Sequence, residues 1–379
     1  MASAPVPIRV SSTPEALVIE WQGGCVSEFA SLWLRDNVPE DRDPGSGQRL
    51  IDIADLPAAP RIRSARAGNG SVLIEWEGEA RPAAFELGWL AAQAAGAASA
   101  ERPELRPRPW LEGARLDARR DFAWLRLAAA HDEPPLRLEW LTRLGRDGLA
   151  FLEAVPPVPA AVLGAAALIG RVAETNYGLT FHVRTVPQPE NLAYSDLGLG
   201  LHTDNPYREP VPGFQALHAL VTSPDGGDSL FADGFALAAH LRESAPEAFR
   251  ILTGTAVPFH YRSSDAELYA ERPLIQLSCE GEVTAVHYNN RSIRVAARTA
   301  PGFYAAYRRF AALLREPRFQ LRTRLGDGDL VVFDNQRVLH GRTAFTSAQH
   351  PRHLEGCYLT RDSVFSETGL LRRVLAASA

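Results

Sequence analysis

His202-Thr203-Asp204, set against a distant His340 in Asn335-Gln-Arg-Val-Leu-His-Gly341, constrains the fold of this chain more than any other feature. Two imidazoles and one carboxylate on one face of a metal ion suit ferrous iron in oxygen chemistry, and they leave three positions open. In a strand or strand end, residues i and i+2 project to the same side, so His202 and Asp204 can reach one ion together. The third donor must then come from a strand that the chain folds back beside the first, which requires a sheet-rich architecture. The bland alternative is that all three are satisfied core polar groups, since such triplets arise by chance and most histidines are structural.

The rest of the pattern agrees with a mainly β chain. Ala16-Leu-Val-Ile-Glu-Trp21, Arg49-Leu-Ile-Asp-Ile53 and Ser71-Val-Leu-Ile-Glu-Trp76 read as short strands, each bounded by Gly, Asp or Pro. The repeated Val/Leu-Ile-Glu-Trp suggests two edges of one small module over residues 1–100. Residues 101–120, rich in proline and arginine, read as a linker. Beyond it, residues 121–379 alternate helical stretches (Leu136–Gly145, Val158–Val172, Phe235–Ser244, Phe303–Arg315) with apolar runs. Those runs are Gly148–Glu153, Phe214–Val221, Ser229–Ala232, Val257–Tyr261, Val283–Tyr288 and Asp329–Phe333. Many strands with few helices point to a double-sheet jelly roll, a double-stranded β-helix with helices packed outside, beside a small β-rich N-terminal domain.

Bulk properties exclude several classes. At 379 residues the chain fits one large domain and one smaller. A net charge of −5 argues against nucleic-acid binding, and no run of about 18 apolar residues suggests a membrane span. The opening residues lack the layout of a secretory signal, and Cys25, Cys279 and Cys357 form neither a disulfide framework nor a metal clip. A cytoplasmic setting is expected. There is no Gly-x-Ser-x-Gly elbow and no His-Glu-x-x-His helix.

Four segments follow the triplet in order: Gly213-Phe-Gln-Ala-Leu-His-Ala-Leu220, Gly226-Gly-Asp-Ser-Leu-Phe-Ala-Asp-Gly234, Phe333-Asp-Asn-Gln-Arg-Val-Leu-His-Gly-Arg342 and Arg352-His-Leu-Glu-Gly-Cys-Tyr358. The series resembles the γ-butyrobetaine hydroxylase group within the taurine-dioxygenase-like Fe(II)/2-oxoglutarate oxygenases. Leu32-Trp-Leu-Arg-Asp-Asn37 looks like that group's N-terminal domain. The resemblance implies Fe(II) on His202, Asp204 and His340, with 2-oxoglutarate and O2 as co-substrates. One departure stands out. Relatives carry cysteines after this motif that, with a later histidine, hold zinc, whereas here Asn37-Val-Pro-Glu-Asp-Arg-Asp-Pro has none and no histidine precedes His131. Zinc favours thiolates, so no zinc site is expected.

By the same resemblance, Arg352 grips the distal carboxylate of 2-oxoglutarate with help from Ser229, a planar guanidinium matching a carboxylate bidentately. Arg337 reads equally as a scaffold ion-pair partner and Asn335 as a turn residue. Tyr177, Phe181, Tyr194 and Tyr358 fall where the family supplies an aromatic cage for a trimethylammonium group, which cannot donate hydrogen bonds and is held by ring faces. At the anionic end stand Asn205, Tyr207, Asn289, Asn290, Arg291 and Arg294. An arginine pair exceeds what a carboxylate requires and suits a phosphonate approaching a charge of −2. The leading expectation is therefore a hydroxylase of 2-(trimethylammonio)ethylphosphonate acting at the carbon next to phosphorus, with γ-butyrobetaine the alternative substrate. Trimethyllysine fits less well, since its extra ammonium would sit near arginines. The rival outside enzymes is an anion-binding jelly roll. The resemblance further implies a homodimer, with the N-terminal module closing over a neighbour's site.

Overall fold

The computed structural model describes residues 6–94, 105–110, 116–184, 196–297, 299, 301–345 and 352–378. It forms two compact units, Met1–Arg102 and Pro103–Ala379. In the first, β1 (Pro7–Ser12), β2 (Ala16–Trp21) and β3 (Val26–Ala30) make one antiparallel sheet, and β4 (Ile62–Gly68), β5 (Ser71–Trp76) and β6 (Ala83–Glu86) another. The twin Ile-Glu-Trp segments are thus the central strands of separate sheets, not edges. Alternation turns Leu17, Ile19 and Trp21 of β2, and Val72, Ile74 and Trp76 of β5, into one shared core. The short helix Ser31–Asp36 carries Arg35, which bridges Asp41 at 2.6 Å and Glu79 at 2.8 Å. The strand expected at Arg49–Ile53 does not form. Arg49 makes one isolated bridge to Arg42, and Asp52 instead caps a 3-10 turn through the amide of Ala54. Leu50 and Ile53 are 64% and 56% exposed, so no apolar surface holds them in a sheet.

The second unit contains β7 (Ala123–Arg126), β8 (Leu149–Glu153), β9 (Val172–Ala173), β10 (Phe181–Arg184), β11 (Leu199–His202), β12 (Phe214–Val221) and β13 (Ser229–Asp233). The hairpins β14 (Val257–Arg262) with β15 (Glu267–Arg272), and β16 (Ile275–Leu277) with β17 (Val283–Val286), follow. β18 (Leu321–Thr323), β19 (Leu330–Asp334), β20 (Val338–Arg342) and β21 (His353–Leu359) complete the strands. The larger sheet runs β10-β21-β12-β19-β8-β7, with β9 also paired to β21, and the smaller runs β11-β20-β13-β18. Two facing sheets with outer helices make the jelly roll that the sequence pattern implied.

The central strands are apolar on both faces. On β8 and β19, Leu149, Phe151, Val331 and Phe333 fill the space between the sheets, while Ala150, Leu152, Leu330 and Val332 pack outward against the helix Pro134–Asp147. That helix ends at Gly148, whose φ of +71° and close approach to Arg337 suit glycine. Helix expected across Val158–Val172 covers only Ala161–Ala166, because Gly170 at φ +155° departs from helical backbone before β9. The tract read as a linker, over its described residues 105–110 and 116–120, is part of the second unit. Trp110 is buried there, its indole N–H donating to the Asp147 carbonyl at 2.8 Å and its amide to Asp233 at 3.0 Å. Among the described residues no helix is long and apolar enough to cross a membrane.

Candidate metal centre and substrate cavity

Antiparallel pairing of β11 with β20 sets His202 directly opposite His340. Asp204 follows just past the end of β11, so the three side chains converge between the sheets. His202 Nε2 is 3.3 Å from Asp204 Oδ1, His340 Nε2 is 3.8 Å from Asp204 Oδ2, and one donor atom from each lies within 4.8 Å of the others. His202 Nδ1 stands 2.9 Å from the carbonyl oxygen of Gly200. A carbonyl only accepts, so that nitrogen carries the proton and Nε2 presents its lone pair. The donor set and its spacing fit a single metal ion held by all three, with the cavity side open.

Neighbouring backbone is stapled on both sides. Asn335, fully buried, accepts the Asp204 amide N–H at 2.7 Å and donates to the Asp204 carbonyl at 3.0 Å and the Pro212 carbonyl at 3.2 Å. Thr203 donates its amide to the Tyr288 carbonyl at 2.8 Å, and Asn289 Nδ2 donates to the Thr203 carbonyl at 3.0 Å. Burial alone would raise the Asp204 carboxyl, but His340, His202 and the hydroxyl of Tyr358, donating at 2.8 Å, together hold it well below the usual range. Burial and His202 push His340 down to about 3. His340 is therefore a neutral imidazole and Asp204 a carboxylate, the protonation states that metal binding needs.

A cavity of about 810 Å³, counting its open mouth, extends from the triad between the sheets. That is room for a co-substrate together with a small second molecule. Of the residues expected at ligands, Tyr177, Phe181, Asn205, Ser229, Arg291, Arg352 and Tyr358 line it. Phe181 stacks on Tyr358 with ring centroids 4.8 Å apart. Tyr194 lies outside the described residues. Four others do not line the cavity. Tyr207 donates to Asn205 Oδ1 at 2.6 Å, fixing the amide so that Nδ2, buried and unpartnered, is its free end. Asn289 is consumed by Thr203 and by the amides of Arg291 and Ser292, which its Oδ1 accepts at 3.2 and 3.3 Å. Asn290 accepts from Tyr307 at 2.7 Å. Exposed Arg294 donates to the carbonyls of Arg291 and Ile293, at 3.1 and 3.0 Å, and anchors its own loop. The expected arginine pair is thus one cavity arginine and one loop anchor.

Sequence reading missed Arg342 and Gln215, both of which line the cavity. The signal for Arg342 was present: two residues past His340 on the same strand, it projects to the same face. Burial and Arg291 push its guanidinium down to about 10 despite Asp196, while burial and Arg342 do the same to Arg352. Burial likewise lowers Arg291, against the pull of Asp204 and Tyr207. Among the described residues, the guanidinium groups of Arg291 and Arg352 have no hydrogen-bond or ion-pair partner. Charge without a partner in a half-closed cavity calls for anionic ligands. Arg337, by contrast, is buried against Asp233 at 2.7 Å and belongs to the scaffold.

The sequence matches the family described as taurine catabolism dioxygenase TauD, TfdA over residues 121–358. It is 37% identical to the γ-butyrobetaine dioxygenase of Pseudomonas sp. (strain AK-1), covering 96% of this chain and 95% of that protein. It is 28% identical to the γ-butyrobetaine dioxygenase of Homo sapiens, covering 94% of each. Among solved structures, asparagine oxygenase in complex with Fe(II), 2S,3S-3-hydroxyasparagine and succinate aligns with a TM-score of 0.49 at 19% identity, over 64% of this chain and 94% of that one. Because the family match runs through His202, Asp204, His340 and Arg352, and a named dioxygenase shares more than a third of the residues end to end, the chain belongs to the TauD, TfdA family and is a 2-oxoglutarate-dependent dioxygenase using Fe(II) and O2.

Proposed function

We propose that the protein hydroxylates 2-(trimethylammonio)ethylphosphonate at the carbon next to phosphorus. Iron would sit on His202, Asp204 and His340, with the distal carboxylate of 2-oxoglutarate at Arg352 beside Ser229. When bound, iron and 2-oxoglutarate supply the oxidising power that places one oxygen atom of O2 on a C–H carbon while 2-oxoglutarate leaves as succinate and CO2. The chain's own work is positioning. Tyr177, Phe181 and Tyr358 offer ring faces to the trimethylammonium end, and relatives named for γ-butyrobetaine act on a molecule with that same group. Asn205 Nδ2 and Arg291 offer donors to the anionic end.

The observation that carries the choice of anion is the unpartnered Arg291 guanidinium in the cavity. The two charges of iron and that of Arg352 are matched by Asp204 and the two carboxylates of 2-oxoglutarate. Arg342 feels the opposing charge of Asp196. Arg291 remains unmatched. A phosphonate zwitterion carries about one net negative charge and balances it, as a phosphate-like group with a second pKa near 6 would, whereas γ-butyrobetaine is neutral overall. Trimethyllysine would bring a further cation towards Arg291. The second reading, γ-butyrobetaine, is favoured by the 37% identity and by the turning away of Arg294.

Succinate release coupled to product mass, measured on both substrates side by side, decides between them. The phosphonate is expected to show the higher kcat/KM. Arg291→Ala is expected to lower it by ~10²-fold, the scale of losing a charge-assisted hydrogen-bond pair, and to affect γ-butyrobetaine far less. Faster turnover of the carboxylate by the unaltered enzyme would refute the phosphonate.

A further inference from the structure

β12 crosses the wall of the larger sheet between β19 and β21, and its side chains alternate. Phe214 and Ala216 join the helix-covered core, while Gln215 and Leu217 face the cavity. Gln215 is only 1% exposed, and its cross-strand partners are Phe333 on one side and Tyr358 on the other. Each partner touches a different metal ligand. The Phe333 ring lies 4.7 Å from that of His340, and the Tyr358 hydroxyl bonds Asp204. Gln215 therefore stands at the metal end of the cavity. Among the described residues its amide has no hydrogen-bond partner: Oε1 is enclosed, and Nε2 is the end left open, as a donor to a ligand. A buried amide left in this state costs stability, and the adjoining wall residues Leu217, Phe231 and Leu354 are apolar. A leucine would suit this position better unless a ligand uses the amide.

We infer that Gln215 binds the metal-chelating end of 2-oxoglutarate, its amide N–H donating to the 1-carboxylate. A neutral donor holds that carboxylate without adding positive charge beside a divalent ion. The distal carboxylate, far from the metal, can take arginine. The assignment rests on the dioxygenase class alone and not on the identity of the zwitterion.

The test is an anaerobic titration of the full-length Fe(II) protein with 2-oxoglutarate, followed by its metal-to-ligand charge-transfer absorption. Gln215→Leu is expected to weaken 2-oxoglutarate binding by about 10- to 100-fold, the effect of losing one hydrogen bond to a charged group, and to move the band. Thermal stability of the ligand-free variant should equal or exceed that of the parent, since an unpartnered amide has been removed. Gln215→Glu, similar in size, should lose still more affinity by setting carboxylate against carboxylate. Parental affinity and band position in both variants would overturn the inference. So would a change confined to the KM of the zwitterion, which would assign Gln215 to the substrate instead. A parent protein with no such band would remove the dioxygenase assignment, and this inference with it.

Discussion

At the scale of single residues, the metal centre depends on amides that never touch the ion. Asn335 satisfies both the N–H and the C=O of Asp204, so the ligand's backbone has one available position. Asn335→Leu would leave both groups buried and unpaired. The expected result is a 10- to 100-fold loss of Fe(II) affinity, the usual effect of losing a partner that orients a ligand, read by anaerobic metal titration. An unchanged affinity would show that the strand pairing of His202 with His340 suffices. The sequence made the donors legible because H-x-D spacing and a distant histidine carry their own geometry. It left Asn335 as a turn residue and put Asn289 in the substrate pocket, because an amide's partner depends on which distant backbone the fold delivers. Arg291 and Arg294 differ by three positions, yet one lines the cavity and the other bonds the carbonyls of its own loop. Composition cannot separate them.

At the scale of elements, strand and helix periodicity was readable wherever burial is one-sided or complete. Phe214–Val221 is a strand over its whole expected length. It was unreadable at Arg49–Ile53, where alternation exists but no neighbouring apolar face does. The turn before β20 is held by a buried ion pair that no local pattern reveals. Arg337 bonds Asp233 at 2.7 and 3.1 Å and caps the Arg146 and Arg108 carbonyls at 2.7 and 2.8 Å. It thereby ties the end of the helix Pro134–Asp147, the segment before Trp110 and β13 to the strand carrying His340. Arg337→Met leaves Asp233 charged and buried. A loss of about 3–5 kcal/mol in unfolding free energy is expected. Chemical denaturation checks it, and a loss below about 1 kcal/mol would mean that the amides of Trp110 and Phe235, which also donate to Asp233, suffice to hold it.

Over the whole molecule, stability should depend on pH through histidines rather than through the surface charge. His287 is 1% exposed, and burial with Arg272 and Arg361 nearby pushes it from an ordinary 6.5 down to about 3. His340 is displaced equally far, and His218 and His353 in the same direction. These imidazoles stay neutral in the fold and protonate in the unfolded chain, so between the two pKa values the unfolded state binds more protons. For His287 and His340 that contribution is complete above about 6.5, is lost as pH falls towards about 3, and changes no further below that. Each fully shifted group costs about 1 kcal/mol per pH unit within the window. Carboxylates held low, such as Asp204 and Asp228, add their own loss only below about 4, so the interval above it isolates the histidines. Metal-free protein should therefore lose denaturant resistance steadily from pH 6.5 to about 4.5, and His287→Gln should lessen that slope by close to one proton. A flat profile over this interval, or a variant with the parental slope, would mean that these rings take up protons while still folded.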